Sequence, residues 1–155
     1  MKLKTIILAC SVFGLANTSF AASEFDQYLQ QQKILDSKFK ITNKAALNEL
    51  LTLLSAEDSK TLPLQIDQNT IIEQLELTAS ATKLTGAIIT PDFAQFEEQL
   101  GEKEVTKVIR ENLLNNCEIF FEHEYQRRNP YRIDLNLNST TTSYQLRINQ
   151  KDCKF

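Results

Sequence analysis

The chain predicts an α+β domain over residues 22–155, built as a four-stranded antiparallel sheet with helices packed on one face and an N-terminal helical arm. Three observations carry this. Tyr131, Ile133, Leu135 and Leu137 alternate with Arg132, Asp134, Asn136 and Asn138, and Tyr144, Leu146 and Ile148 repeat the pattern, which marks strands with one face buried and one in water. The stretches Thr70–Thr78 (TIIEQLELT) and Thr82–Thr90 (TKLTGAIIT) are rich in β-branched and apolar residues around the short link Ala79-Ser80-Ala81, as in a hairpin. Elsewhere apolar residues recur every three or four positions, the spacing of one helix face.

Taken in order, Ser23 is placed to cap a helix carrying Phe25, Tyr28, Leu29 and Leu35, whose polar far side (Gln30 to Lys33) suggests a loosely docked arm. A second helix starts near Thr42 or Asn43 and runs through Leu47, Leu50, Leu51 and Leu54. Pro63 ends the helical pattern ahead of the first hairpin, in which Ile71, Leu75 and Leu77 share one parity. Gly86 marks a bulge or a close approach of another backbone. Thr90-Pro91-Asp92 predicts a helix start, with Thr90 as cap, Pro91 in the first turn and Phe93, Phe96 and Leu100 facing inward. After Gly101 a longer helix carries Val105, Val108, Ile109 and Leu113 past Cys117 to about Tyr125. Asn129-Pro130 turns the chain into the final hairpin, whose strands are joined by Ser139 to Thr142.

The first 21 residues are expected to be a cleaved export signal. Lys2 and Lys4 form a basic tip, Thr5 to Leu15 an apolar stretch, and Ser19 and Ala21 the small residues before a cut. An alternative reads Ile7-Leu8-Ala9-Cys10 as a lipidation site, with Cys10 becoming the first residue. The apolar stretch is about half of the roughly 20 residues needed to span a bilayer. Removal of the signal leaves about 134 residues, enough for one domain to bury a core without metal. The full chain has a formal charge of −3, and loss of two lysines takes it to about −5, which argues against nonspecific binding to nucleic acid or anionic lipid.

Cys117 and Cys153 then meet an oxidising compartment, where pairing is expected and a free or functional thiol is the alternative. No C-x-x-C pair or His/Cys cluster offers redox chemistry or structural zinc. An L-P dipeptide ahead of a strand pair (Leu62-Pro63-Leu64-Gln65-Ile66-Asp67), a cysteine after an amphipathic helix, an alternating hairpin and the closing Asp152-Cys153-Lys154-Phe155 together resemble small exported proteins of Gram-negative bacteria with two cysteines in the C-terminal half. That resemblance implies a periplasmic address and no activity.

His123 is the one histidine. In Glu122-His123-Glu124, side chains one or two apart on a helix point different ways, so a solvated histidine is expected over a ligand or base. Glu97-Glu98 and Asp134 supply carboxylates, but glycoside hydrolysis needs two held across a cleft. G-x-S-x-G, S-x-x-K and phosphate-binding glycine loops are missing from the sequence. Phe120, Phe121 and Tyr125 form an aromatic cluster that is expected to pack around the disulfide, with a partner-binding patch as the alternative. Arg127, Arg128 and Arg132 concentrate positive charge, read as a solvated turn or an anionic partner groove. No catalytic residue, cofactor or metal site is assigned.

The expected function is that of a periplasmic or secreted, non-enzymatic protein acting by contact with another envelope protein, such as an accessory factor of an envelope or secretion apparatus. The alternative is an inhibitor or immunity protein against an envelope-acting toxin or hydrolase. The row Arg132, Asp134, Asn136 and Asn138 is a candidate partner face, because a rigid strand loses little freedom on binding.

Overall fold

The computed structural model describes residues 22–155. The predicted export signal and Cys10 lie outside the described residues. Six helices, α1 (Glu24–Gln31), α2 (Lys44–Asp58), α3 (Phe93–Leu100), α4 (Glu102–Asn115), α5 (Cys117–Phe120) and α6 (Glu124–Arg128), accompany five strands, β1 (Leu64–Gln65), β2 (Thr70–Leu77), β3 (Ala81–Ile88), β4 (Arg132–Asn138) and β5 (Ser143–Asn149). The strands form one sheet in the order β1-β2-β3-β4-β5.

The α+β class agrees with the sequence reading, but the sheet has five strands and is mixed. Leu64 and Gln65 add a short antiparallel edge to β2, pairing with Ile72 and Ile71. The central pair β3–β4 is parallel, from Ala81 beside Arg132 to Ala87 beside Asn138. The helices between these strands carry the chain back to the end where β3 began, so β4 enters in the same direction, as a crossover connection requires. The β2–β3 and β4–β5 pairs are antiparallel hairpins, as expected.

One face of β4 and β5 is buried through Ile133, Leu135, Leu137, Tyr144, Leu146 and Ile148, which join Leu29, Leu47, Leu51, Val105, Phe121 and Tyr125 in the core. In β2 the expected common parity fails. A bulge between Ile72 and Gln74 shifts the register, so Ile72 turns inward in place of Ile71 and parity changes before Leu75 and Leu77. Gly86 pairs with Ile72 at this bulge. A Cβ at Gly86 would land well inside contact distance of the Ile71 carbonyl oxygen and 3.2 Å from Ile72 Cδ1. The close approach of another backbone therefore holds at this glycine, while the bulge lies on β2 opposite it.

Other local differences have physical reasons. Helix α1 stops at Gln31, since Lys33 adopts a positive φ and Leu35 instead bridges Ile41. It is no loose arm: Asp26 and Leu29 are fully buried. Asn43 caps α2 as expected, accepting from the Ala46 N–H. Thr90 does not cap α3; its hydroxyl donates to Asn69 Oδ1, and Asp92 occupies the cap position. Phe93 packs edge-on against Tyr144, whereas Phe96 and Leu100 are exposed and so do not face a covered core. The long helix expected to reach Tyr125 is broken at Asn116 and again from Phe121 to His123 into α4, α5 and α6.

Candidate functional site

The inner face of the sheet is covered unevenly. Helix α2 packs against β2, where the Leu77 N–H donates to Ser55 Oγ and the Ala79 N–H to Asn48 Oδ1, near the first hairpin's turn. Helix α4 packs against β5 at the opposite side, with Arg110 donating to the Arg147 carbonyl at 2.9 Å. Between them an open cleft of about 1090 Å³ lies over the middle of the sheet. Pockets for drug-sized ligands run to about 1,000 Å³, so this one suits something as large or larger.

Its floor is the sheet itself: Ile72 and Leu75 of β2, Leu84 and Ile88 of β3, and Leu135 and Leu137 of β4. One wall is Leu62, Leu64 and Ile66, which follow α2 and include β1. The other is Phe93 and Phe96 of α3, Val108, Ile109 and Leu113 of α4, and Ile119 and Phe120 of α5. The spacing Val105, Val108, Ile109, Leu113 gives α4 an apolar stripe too wide for the core beneath it. Val105 is sealed at 1% exposure, while Val108 stands 49% exposed in the cleft and Ile119 72%. Contiguous exposed apolar surface is a feature that interaction sites share.

The charged residues that line the cleft have one sign. Asp58, Asp67 and Asp92 contribute to its lining, with Asn69, Asn112 and Asn116, and no Lys, Arg or His does so among the described residues. Of the cations next to lining residues in sequence, Lys60 is paired with Glu57 at 2.5 Å and Arg110 donates to the Arg147 carbonyl, while Lys107 adjoins Val108.

The row expected to form a partner face lies elsewhere. Arg132, Asp134, Asn136 and Asn138 take the parity opposite the buried residues of β4, on the other face of the sheet from the cleft. Asp134 accepts from Arg132 Nε at 2.8 Å and Arg147 Nε at 2.6 Å, and Asn136 accepts from Ser143. Burial alone would raise the Asp134 pKa, but the two guanidiniums outweigh it and hold the carboxyl below its usual range. Arg132, Asp134 and Asn136 are thus paired with one another or with β5 on this outer face. Arg127 and Arg128 both pair with Glu124; Arg127 lies over the Phe155 ring and donates to the Phe121 carbonyl with little exposure, whereas Arg128 is solvated, as expected.

His123 is half-buried, stacked on Tyr125 and against Phe25, which corrects the expected solvated position. Its Nδ1 lies 2.9 Å from Ser23 Oγ, and the Ser23 hydroxyl donates to the buried Asp26 carboxylate at 2.7 Å. Asp26 also accepts from the Glu124 and Tyr125 N–H groups. Ser, His and Asp meet here, but in the wrong order for nucleophilic catalysis, which needs the imidazole between carboxylate and hydroxyl. The cluster fastens α1 to the start of α6.

Glu97 is buried between α3 and the last hairpin's turn. It accepts short hydrogen bonds from the Thr141 and Tyr144 hydroxyls and a longer one from Ser139. Hydrogen bonds from Thr141, Thr142 and Tyr144 hold its carboxyl down to about 2. Burial and the Glu97 carboxylate push the Tyr144 hydroxyl up. Cys117 and Cys153 are bonded, with Cα atoms 5.9 Å apart, tying α5 to the turn after β5. Of the aromatic cluster, Phe121 and Tyr125 are core, and Phe120 reaches the cleft. No group of three or more His, Cys, Asp or Glu suited to a metal occurs among the described residues.

By sequence, the chain matches no family model and no curated protein. Among solved structures it is weakly similar to a protein of Pseudomonas aeruginosa described as secreted (TM-score 0.45, 11% identity, covering 72% of this chain and 96% of that one). It is also weakly similar to EpsS, the pilotin of the type 2 secretion system of Vibrio vulnificus (TM-score 0.38, 8% identity, with the same 72% and 96% coverage). No helix among the described residues is long and apolar enough to cross a membrane.

Proposed function

We propose that the protein is exported, cut after Ala21 and folded as one domain over residues 22–155, and that it acts without catalysis by receiving an apolar segment of another envelope protein in the cleft, as an accessory factor of an envelope or secretion apparatus. The observation that carries this reading is the open apolar cleft over β2, β3 and β4, rimmed by the exposed side chains of Leu64, Ile66, Phe96, Val108 and Ile119. Such a concave surface receives part of a partner.

Affinity purification from the native envelope tests the proposal. Val108→Glu with Ile119→Glu places two carboxylates in the cleft at positions already exposed, so folding is expected to survive while partner recovery is lost. Alanine at Arg132, Asp134, Asn136 and Asn138 together is expected to leave recovery unchanged. Retention by the cleft variant and loss by the fourfold variant would move the working surface to the opposite face of the sheet.

A further inference from the structure

We infer that the occupant of the cleft is an amphipathic helix whose polar face carries Lys and Arg; this rests on the cleft reading above and names the class of segment that fills it. Three observations converge. The cleft lies over β2, β3 and β4, and the two strand spacings between them, about 10 Å, match the width of one helix. It lies in the layer already occupied by α2 on one side and α4 on the other, so one further helix would complete that layer.

Backbone chemistry selects the helix over an extended peptide. A segment lying on Ile72, Leu84 and Leu135 meets apolar side chains, because the sheet's own N–H and C=O groups are spent on strand pairing. An extended chain there would leave its backbone polar groups without partners, whereas a helix satisfies its own. Anchors at i, i+3, i+4 and i+7 then fit an apolar trough.

Charge selects the polar face. Asp58, Asp67 and Asp92 border the trough with no cation among the lining residues. Lys and Arg flanking the apolar stripe would meet these carboxylates, while a fatty acid or phospholipid would bring a negative headgroup against them.

The test uses two synthetic helical peptides of about 18 residues, five turns, with the same leucine stripe and either Lys or Glu on the polar face. Binding to the exported protein is followed by fluorescence anisotropy. The Lys peptide is expected to bind about tenfold more tightly, the return on three exposed ion pairs, with the advantage shrinking as salt rises. The triple variant Asp58→Lys, Asp67→Lys, Asp92→Lys should reverse the order. Equal binding of both peptides, abolished by Val108→Glu with Ile119→Glu, would overturn the basic polar face and leave the cleft reading standing. Failure of either peptide to bind, with displacement of a bound fluorescent fatty acid by its unlabelled form, would assign the cleft to an acyl chain. A dimer seen by sedimentation and broken by the same cleft variant would assign it to a second copy.

Discussion

Replacing both Cys117 and Cys153 by serine isolates the contribution of the staple. The sequence separation is 36 residues. In the loop-entropy model, a closed loop of that size restricts the unfolded chain by about 4 kcal/mol at room temperature. For a domain of about 130 residues the unfolding entropy is roughly 0.28 kcal/mol per kelvin, so the same loss corresponds to a fall in Tm of about 14 °C. Urea unfolding followed by circular dichroism reads the first quantity, and a thermal scan reads the second. The slope of the urea transition should stay close to that of the native protein if the loss is one of stability alone. A double variant with an unchanged urea midpoint would refute the reasoning, since the link would then restrict nothing the fold does not already restrict.

Two further outcomes follow from the site geometry. Because the Glu97 carboxyl sits at about 2 in the folded protein against an ordinary 4.5, its contribution to stability is fully present above about pH 4.5 and is lost as pH falls toward about 2. Glu97→Gln should therefore flatten the acid limb of stability against pH in urea titrations; an unaltered limb would show that other carboxylates set it. Gly86→Ala forces the new Cβ onto the Ile71 carbonyl, a backbone atom that cannot swing away, and should cost about 3 kcal/mol in denaturant unfolding, at the upper end of overpacking effects. A fully stable Gly86→Ala would mean that the β2–β3 bulge is paired differently.

Periodicity made the final hairpin legible, because alternation over Tyr131 to Leu137 and Tyr144 to Ile148 reports burial of one face directly. It also located α2, where Asn43 and the leucines that follow agree. The parallel β3–β4 pairing was not legible, since strand direction depends on where the intervening helices bring the chain, and no local residue encodes that. Strand β1 was missed because two residues are too few to show alternation, although the L-P-L-Q-I stretch held its apolar positions in view. The cleft was half legible. The spacing of Val105, Val108, Ile109 and Leu113 puts them on one face of a helix, as the structure has them, but an apolar stripe on its own does not say whether another element covers it. Breaks in the helix after Asn115 and Phe120 escaped for a similar reason, as no Pro or Gly marks them and tertiary contacts decide.

The staple and the cleft are mechanically linked. Cys117 stands between Asn116 and Ile119, both of which line the cleft, and it is fixed to Cys153 beyond the end of β5. Arg110, one turn before Leu113 and Leu114, anchors the same wall through the Arg147 carbonyl and a 3.7 Å contact with Asp152. An uncovered apolar trough tends to collapse, since closing it removes hydrocarbon from water. Collapse here would require α4 and α5 to slide over β3 toward β1, and the three attachments to the β5 side oppose that movement. The opposite wall is held in turn by Ser55 and Asn48, which accept from the backbone of the β2–β3 turn. The open cleft is therefore a property of a frame fastened at both sides, and the wall bearing Val108 and Ile119 keeps its position because its anchors lie on and just beyond β5, outside the strands that floor the cleft.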